Sequence, residues 1–127
     1  MGQVVAIMLG GAFGALSRYG VSQLSVQLLG KGFPYGTLMV NVLGSLLMGF
    51  LSIYFLTKTN LDPMVRMAVL IGFLGSFTTF STFSMDTLML LESGAVAKGF
   101  LNIALSVCLS LLAVWVGMLI ARSVFVH

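Results

Sequence analysis

Residues 75–84 read Gly-Ser-Phe-Thr-Thr-Phe-Ser-Thr-Phe-Ser, a run of hydroxyls and aromatic rings inside a long apolar stretch. Phe77, Phe80 and Phe83 recur at every third position, on one side of a helix or of a 3₁₀-like turn. Thr78, Thr79, Ser81, Thr82 and Ser84 fill the positions between them. An aromatic ring is electropositive at its edge, and a hydroxyl donates a hydrogen bond. Neutral donors in series suit a small, hard anion, because they replace its hydration without trapping it as a fixed cation would. Asn41 adds an amide NH₂ that either glues helices together or donates to such an anion. Asn102, Ser106 and Ser110 are spaced by four and form one polar line along a helix. That line either satisfies carbonyls one turn back or forms the opposite wall of a narrow polar path. A stripe of Phe by itself is equally compatible with packing.

The elements that must carry these residues are membrane helices. Of the 127 residues, 59% are hydrophobic and 7% charged, with a mean hydropathy of +1.13, whereas a soluble domain carries roughly a quarter charged residues. A span needs about 20 apolar residues. Four stretches qualify, at about 4–29, 35–56, 64–89 and 100–124. They give a single all-α membrane domain over residues 1–127. No Lys or Arg precedes the first stretch and position 6 is Ala6, so it is expected to be a mature membrane helix rather than a signal peptide or a myristoylation site. Asn60, Leu61, Asp62 and Pro63 form a turn, with Pro63 placed to start the third helix. Thr, Ser, Phe and Gly are indifferent helix formers, so a break or unwound turn within residues 75–84 is expected. Unwound backbone at membrane depth is tolerated only where protein buries it or a cavity receives it.

With an even number of spans the termini and the second connection share one side. That side carries Lys58, Arg66 and Arg122, and the other carries Lys31 and Lys98. So small a bias gives the positive-inside rule almost nothing to act on. The chain could insert both ways up and pair antiparallel about a two-fold axis in the membrane plane, or keep one fixed orientation. Gly10, Gly11 and Gly14 in the first span read as a close-packing face. Arg18, inside that span, either snorkels to the interface or faces a partner or water. Gln23 and Gln27 continue a polar stripe. Asp86 lies about a turn beyond the third-span motif, near a membrane face. Trp115 and Arg122 read as interface anchors.

Other chemistries lack their parts. Cys108 is the one cysteine and His127 the one histidine, so neither a disulfide framework nor His/Cys metal chemistry is expected. No paired carboxylates or nucleophile–base set fall within the spans, which argues against an enzyme. A scattered net charge of +3 offers nucleic acid no footprint. A small multidrug-resistance exporter shares the length and span count, but needs a membrane-embedded acid in its first helix, and none is present there. A non-transporting assembly subunit, using Phe and Ser/Thr only for helix contacts, is the other alternative.

The run at residues 75–84 resembles the signature of the Fluc (CrcB) fluoride channels. Gly10-Gly11 with Gly14-Ala15 and Arg18-Tyr19, and Tyr35-Gly36-Thr37 followed by Asn41 and Gly44, extend the similarity over most of residues 10–86. The resemblance implies an antiparallel, dual-topology homodimer in the bacterial inner membrane, with a third helix broken mid-membrane. It implies a passive channel that exports fluoride from the cytoplasm through two pores. Phe80 and Phe83 would be the pore phenylalanines, and Asn41, Ser81 and Thr82 the polar line beside them, faced by Ser106 and Ser110. The carbonyls of Gly75 and Thr78, with their two-fold mates, would hold a structural Na⁺, and Arg18 would contribute to a vestibule or the interface.

Overall fold

The computed structural model describes residues 1–126. It is all-helical, with four stretches long and apolar enough to span a membrane: Gly2–Leu29, Tyr35–Thr57, Pro63–Glu92 and Val96–Phe125. We label the helices α1 (Gly2–Leu29), α2 (Tyr35–Thr57), α3 (Pro63–Arg66), α4 (Gly75–Phe77), α5 (Phe80–Glu92) and α6 (Val96–Phe125). A π-helical segment, Met67–Leu74, joins α3 to α4, so the third stretch is composite while the other three are continuous.

The helix ends follow from local chemistry. Asp62 caps α3 by accepting from the Met64 N–H at 2.9 Å, with Pro63 in the first turn, a position where a missing N–H costs nothing. At the end of α5, the Ala95 N–H reaches the Leu90 carbonyl and the Gly94 N–H reaches Leu91. This is a Schellman turn, and it requires the left-handed φ of 91° that Gly94 supplies. Only a short turn therefore separates α5 from α6.

Packing relies on backbone approaching backbone. The most extensive pairing is α2 with α6, where a Cβ on Gly49 would strike the Val114 carbonyl and one on Gly117 would strike that of Leu46. The next is α1 against the π segment. There Gly10 lies on the Ala68 carbonyl and Gly14 on that of Phe73, with no room for a methyl group on either. The small-residue face of α1 thus fits its backbone against a widened helix. A π turn closes hydrogen bonds to the fifth residue rather than the fourth and admits an extra residue per turn. Sequence periodicity gives no hint of it, since 67–74 is a plain apolar run.

Most Leu, Val, Ile and Met side chains on the outer faces are exposed. That exterior is the reverse of a soluble bundle's and is suited to lipid. The protein is a multi-pass membrane protein.

Candidate functional site

The helical path is interrupted at two residues. α4 ends at Phe77, Thr78 is extended (φ −84°, ψ 156°), Thr79 is extended (φ −151°, ψ 118°), and α5 begins at Phe80. Each of the two threonines offers the chain an alternative to the helical ladder. The Thr78 hydroxyl donates to the Leu74 carbonyl at 3.0 Å. Thr79 is the N-cap of α5, its Oγ1 accepting from the Thr82 N–H at 3.2 Å and donating to Thr82 Oγ1 at 3.1 Å.

Neighbouring helices supply the remaining partners. Asn41 of α2 brackets Thr79: its Nδ2 donates to the Thr79 carbonyl at 3.0 Å, and its Oδ1 accepts from the Thr79 N–H at 2.8 Å. Arg18 of α1 donates from Nε to the Ser76 carbonyl at 2.9 Å. The guanidinium therefore meets the C-terminal end of a helical segment, where a cation is favoured. Four carbonyls, those of Gly75, Ser76, Phe77 and Thr78, lose their helical donors in this arrangement, and Arg18 serves that of Ser76. The Thr79 N–H, which would serve Gly75, goes to Asn41, and the Thr82 N–H, which would serve Thr78, goes to Thr79 Oγ1.

The aromatic residues divide. Phe77, on the near side of the interruption, is buried and stacks on Phe73 at 5.6 Å. The three-residue stripe expected of Phe77, Phe80 and Phe83 is thus split, because two extended residues reset the helical phase after Phe77. Phe80 and Phe83 remain a pair, with centroids 5.4 Å apart and planes tilted by 52°. Phe83 is 8% exposed and Phe80 is 78% exposed. Ser81 is exposed and Thr82 half-buried. The Ser84 hydroxyl bonds back to the Phe80 carbonyl at 3.0 Å.

Ser106 of α6 lies in a polar core between α5 and α6. Thr87 Oγ1 donates to the Phe83 carbonyl at 2.7 Å, Asn102 Nδ2 donates to Thr87 Oγ1 at 2.9 Å, and Ser106 Oγ donates to Asn102 Oδ1 at 3.3 Å. Ser110, one turn further along, has a buried hydroxyl with no partner among the described residues. On α2, the Thr37 hydroxyl donates to Asp86 Oδ2 at 2.8 Å.

Two hollows reach this region. One, of about 490 Å³, is lined by Lys31, Tyr35, Thr37, Thr82 and Asp86 among others. The second, of about 260 Å³, takes in Asn41, Ser45, Thr78, Thr79 and Phe80. Asn41, Arg18, Gly75, Thr78, Phe80, Ser81 and Thr82 therefore cluster at the interruption, while Ser106 is linked to Phe83 through Thr87 and Asn102. Sequence reasoning assigned no role to Thr37 or Thr87. The available signal was Thr87 four residues after Phe83, on the same helical face.

Residues 5–118 match the family model described as CrcB-like protein, Camphor Resistance. Three similar proteins are each named a fluoride-specific ion channel, FluC. The protein from Methylococcus capsulatus is 56% identical over 117 residues, covering 92% of this chain and 51% of that protein. That from Vibrio campbellii is 55% identical over 111 residues, covering 87% of each. That from a Geobacter species is 46% identical over 123 residues, covering 97% of this chain and 99% of its own. The chain thus spans about half the length of the Methylococcus relative and nearly all of the other two.

Proposed function

The chain belongs to the CrcB-like protein family, and from that premise we propose that it is a fluoride-selective, passive channel exporting fluoride across the bacterial inner membrane. The family is one of ion channels, and the protein is not an enzyme. The observation that carries the proposal is the 55% identity across 87% of both chains with a protein named a fluoride-specific channel.

The chemistry of the site supports it. Fluoride is small and strongly hydrated, so a conducting path must offer donors that compensate for lost water yet release the ion. The edges of Phe80 and Phe83, the hydroxyls of Ser81, Thr82 and Ser110, and the second N–H of the Asn41 amide are neutral donors of that kind. In this reading Ser106 stands on the same wall as Ser110. Arg18 holds one end of the interruption and adds positive potential near the path without being a fixed trap inside it.

In the proposed assembly two oppositely inserted copies pair about an axis in the membrane plane, with the interruption at mid-depth. In this pairing the exposed ring of Phe80 would be covered by the second copy rather than by lipid. The carbonyls of Gly75 and Thr78, both deprived of their helical donors, fit a hard monovalent cation, since unwound carbonyls bind Na⁺ in other membrane proteins. Na⁺ would neutralise the converging dipoles of two such pairs and hold the copies together.

The test is efflux from vesicles containing only this protein, read with a fluoride electrode. We expect rapid fluoride efflux, little chloride efflux and no proton coupling. Phe80→Ile should slow fluoride with the dimer intact, and replacing Na⁺ by a larger monovalent cation should impair transport. Equal fluoride and chloride fluxes would overturn the selectivity, and full activity without Na⁺ would overturn the cation site.

A further inference from the structure

The hydrogen bonds between α5 and α6 run in one direction, and the direction is forced. Thr87 has one hydroxyl proton, and it goes to the Phe83 carbonyl at 2.7 Å. Toward Asn102 the Thr87 oxygen can therefore only accept, which turns the Asn102 NH₂ to it at 2.9 Å. With the NH₂ so committed, Asn102 Oδ1 faces the other way, toward Ser106. An amide oxygen cannot donate, so Ser106 donates its proton to Asn102. Asn102 is 1% exposed, so no solvent competes for these bonds.

The outcome is a difference between two serines one turn apart. Ser106 has its proton drawn into the core and presents only lone pairs, which repel an anion. Ser110 has a buried hydroxyl with no partner among the described residues, which leaves its proton available. We propose that Asn102, set by Thr87, is a positioning residue that withholds the Ser106 proton from the pathway, so that a passing anion is held by Ser110 and only weakly at Ser106. The proposal rests on the channel reading. Its logic is that of conduction: two adjacent free donors would bind the ion more tightly and release it more slowly.

The experiment measures the fluoride concentration that gives half-maximal flux in vesicles of the full-length protein. Thr87→Val keeps the shape of Thr87 but removes the oxygen that orients the Asn102 amide, so the amide can turn its NH₂ to Ser106 and free that proton. The half-saturating concentration is then expected to fall roughly tenfold, the equivalent of one additional buried hydrogen bond. Thr87→Ser, which restores the hydroxyl, should return it to the wild-type value. Asn102→Leu, which removes the amide altogether, should shift it in the same direction as Thr87→Val and serves if that variant assembles poorly. In a Ser106→Ala background, Thr87→Val should produce no shift, whereas a merely structural Thr87 would act there as well. A wild type that passes fluoride beside an unshifted Thr87→Val overturns this inference alone, as does a shift that persists without Ser106. A wild type that passes no fluoride overturns the channel reading, and this inference with it.

Discussion

The α2–α6 pair and the interrupted third stretch show two ways of keeping backbone polar groups satisfied away from water. In α2 and α6 each helix meets its own hydrogen-bonding needs, and the two meet through glycines set reciprocally on each other's carbonyls. The contact is purely steric, and its side chains need only be small. In the third stretch the ladder fails at Thr78 and Thr79, and two other helices lend Asn41 and Arg18 to complete it. A regular pair therefore depends on the absence of atoms, whereas an interrupted helix depends on particular atoms being present. The second arrangement leaves the carbonyls of Gly75 and Thr78 and one N–H of Asn41 uncommitted, so polar groups gather there.

This contrast can be broken most directly at Asn41. Asn41→Leu strands the Thr79 N–H and removes an extra donor from the Thr79 carbonyl, which as N-cap of α5 keeps its helical partner, so we expect a loss of up to about 3 kcal/mol, since a buried unsatisfied group costs roughly 1–3 kcal/mol. Asn41→Asp keeps an acceptor for the Thr79 N–H but sets a carboxylate against the Thr79 carbonyl within a membrane span, so it should lose at least as much. Thermal unfolding in detergent reads both values, and an unchanged midpoint for Asn41→Leu would remove the bracket from the account. Next in size is Gly117→Val, which forces side-chain atoms into the Leu46 carbonyl and should cost about 2 kcal/mol. The folded fraction of that variant should retain its fluoride-to-chloride ratio, and a changed ratio would mean that the two regions are not separable. The smallest effect is expected for Thr79→Ala, which removes the cap of α5 for about 1 kcal/mol. Amide exchange at Thr82 should rise in that variant while exchange across α2 and α6 stays as in the wild type.

Hydropathy alone was enough to delimit the four apolar stretches, because the membrane-facing exterior dominates the composition. The weakness of the third helix was also legible, since consecutive threonines among Phe and Ser favour local side-chain bonding over the helical ladder. What holds the interruption was not legible. Asn41 and Thr79 are 38 residues apart, and Arg18 and Ser76 are 58 apart; no local pattern links either pair. The π segment escaped for a similar reason, because its widening accompanies the glycines of α1 rather than any feature of 67–74. The even spacing of Phe77, Phe80 and Phe83 misled, since a regular period presumes an unbroken helix. Asn102 looked like one of three equivalent polar residues, yet its burial and its Thr87 partner set it apart.

The tight Gly94 turn has a mechanical effect on this architecture. With so short a tether, α5 and the first turns of α6 are held together, and Thr87 to Asn102 fastens them about two turns from the Gly94 bend. Any twist applied to Phe83 is passed to the serines as a body rather than absorbed between the two helices.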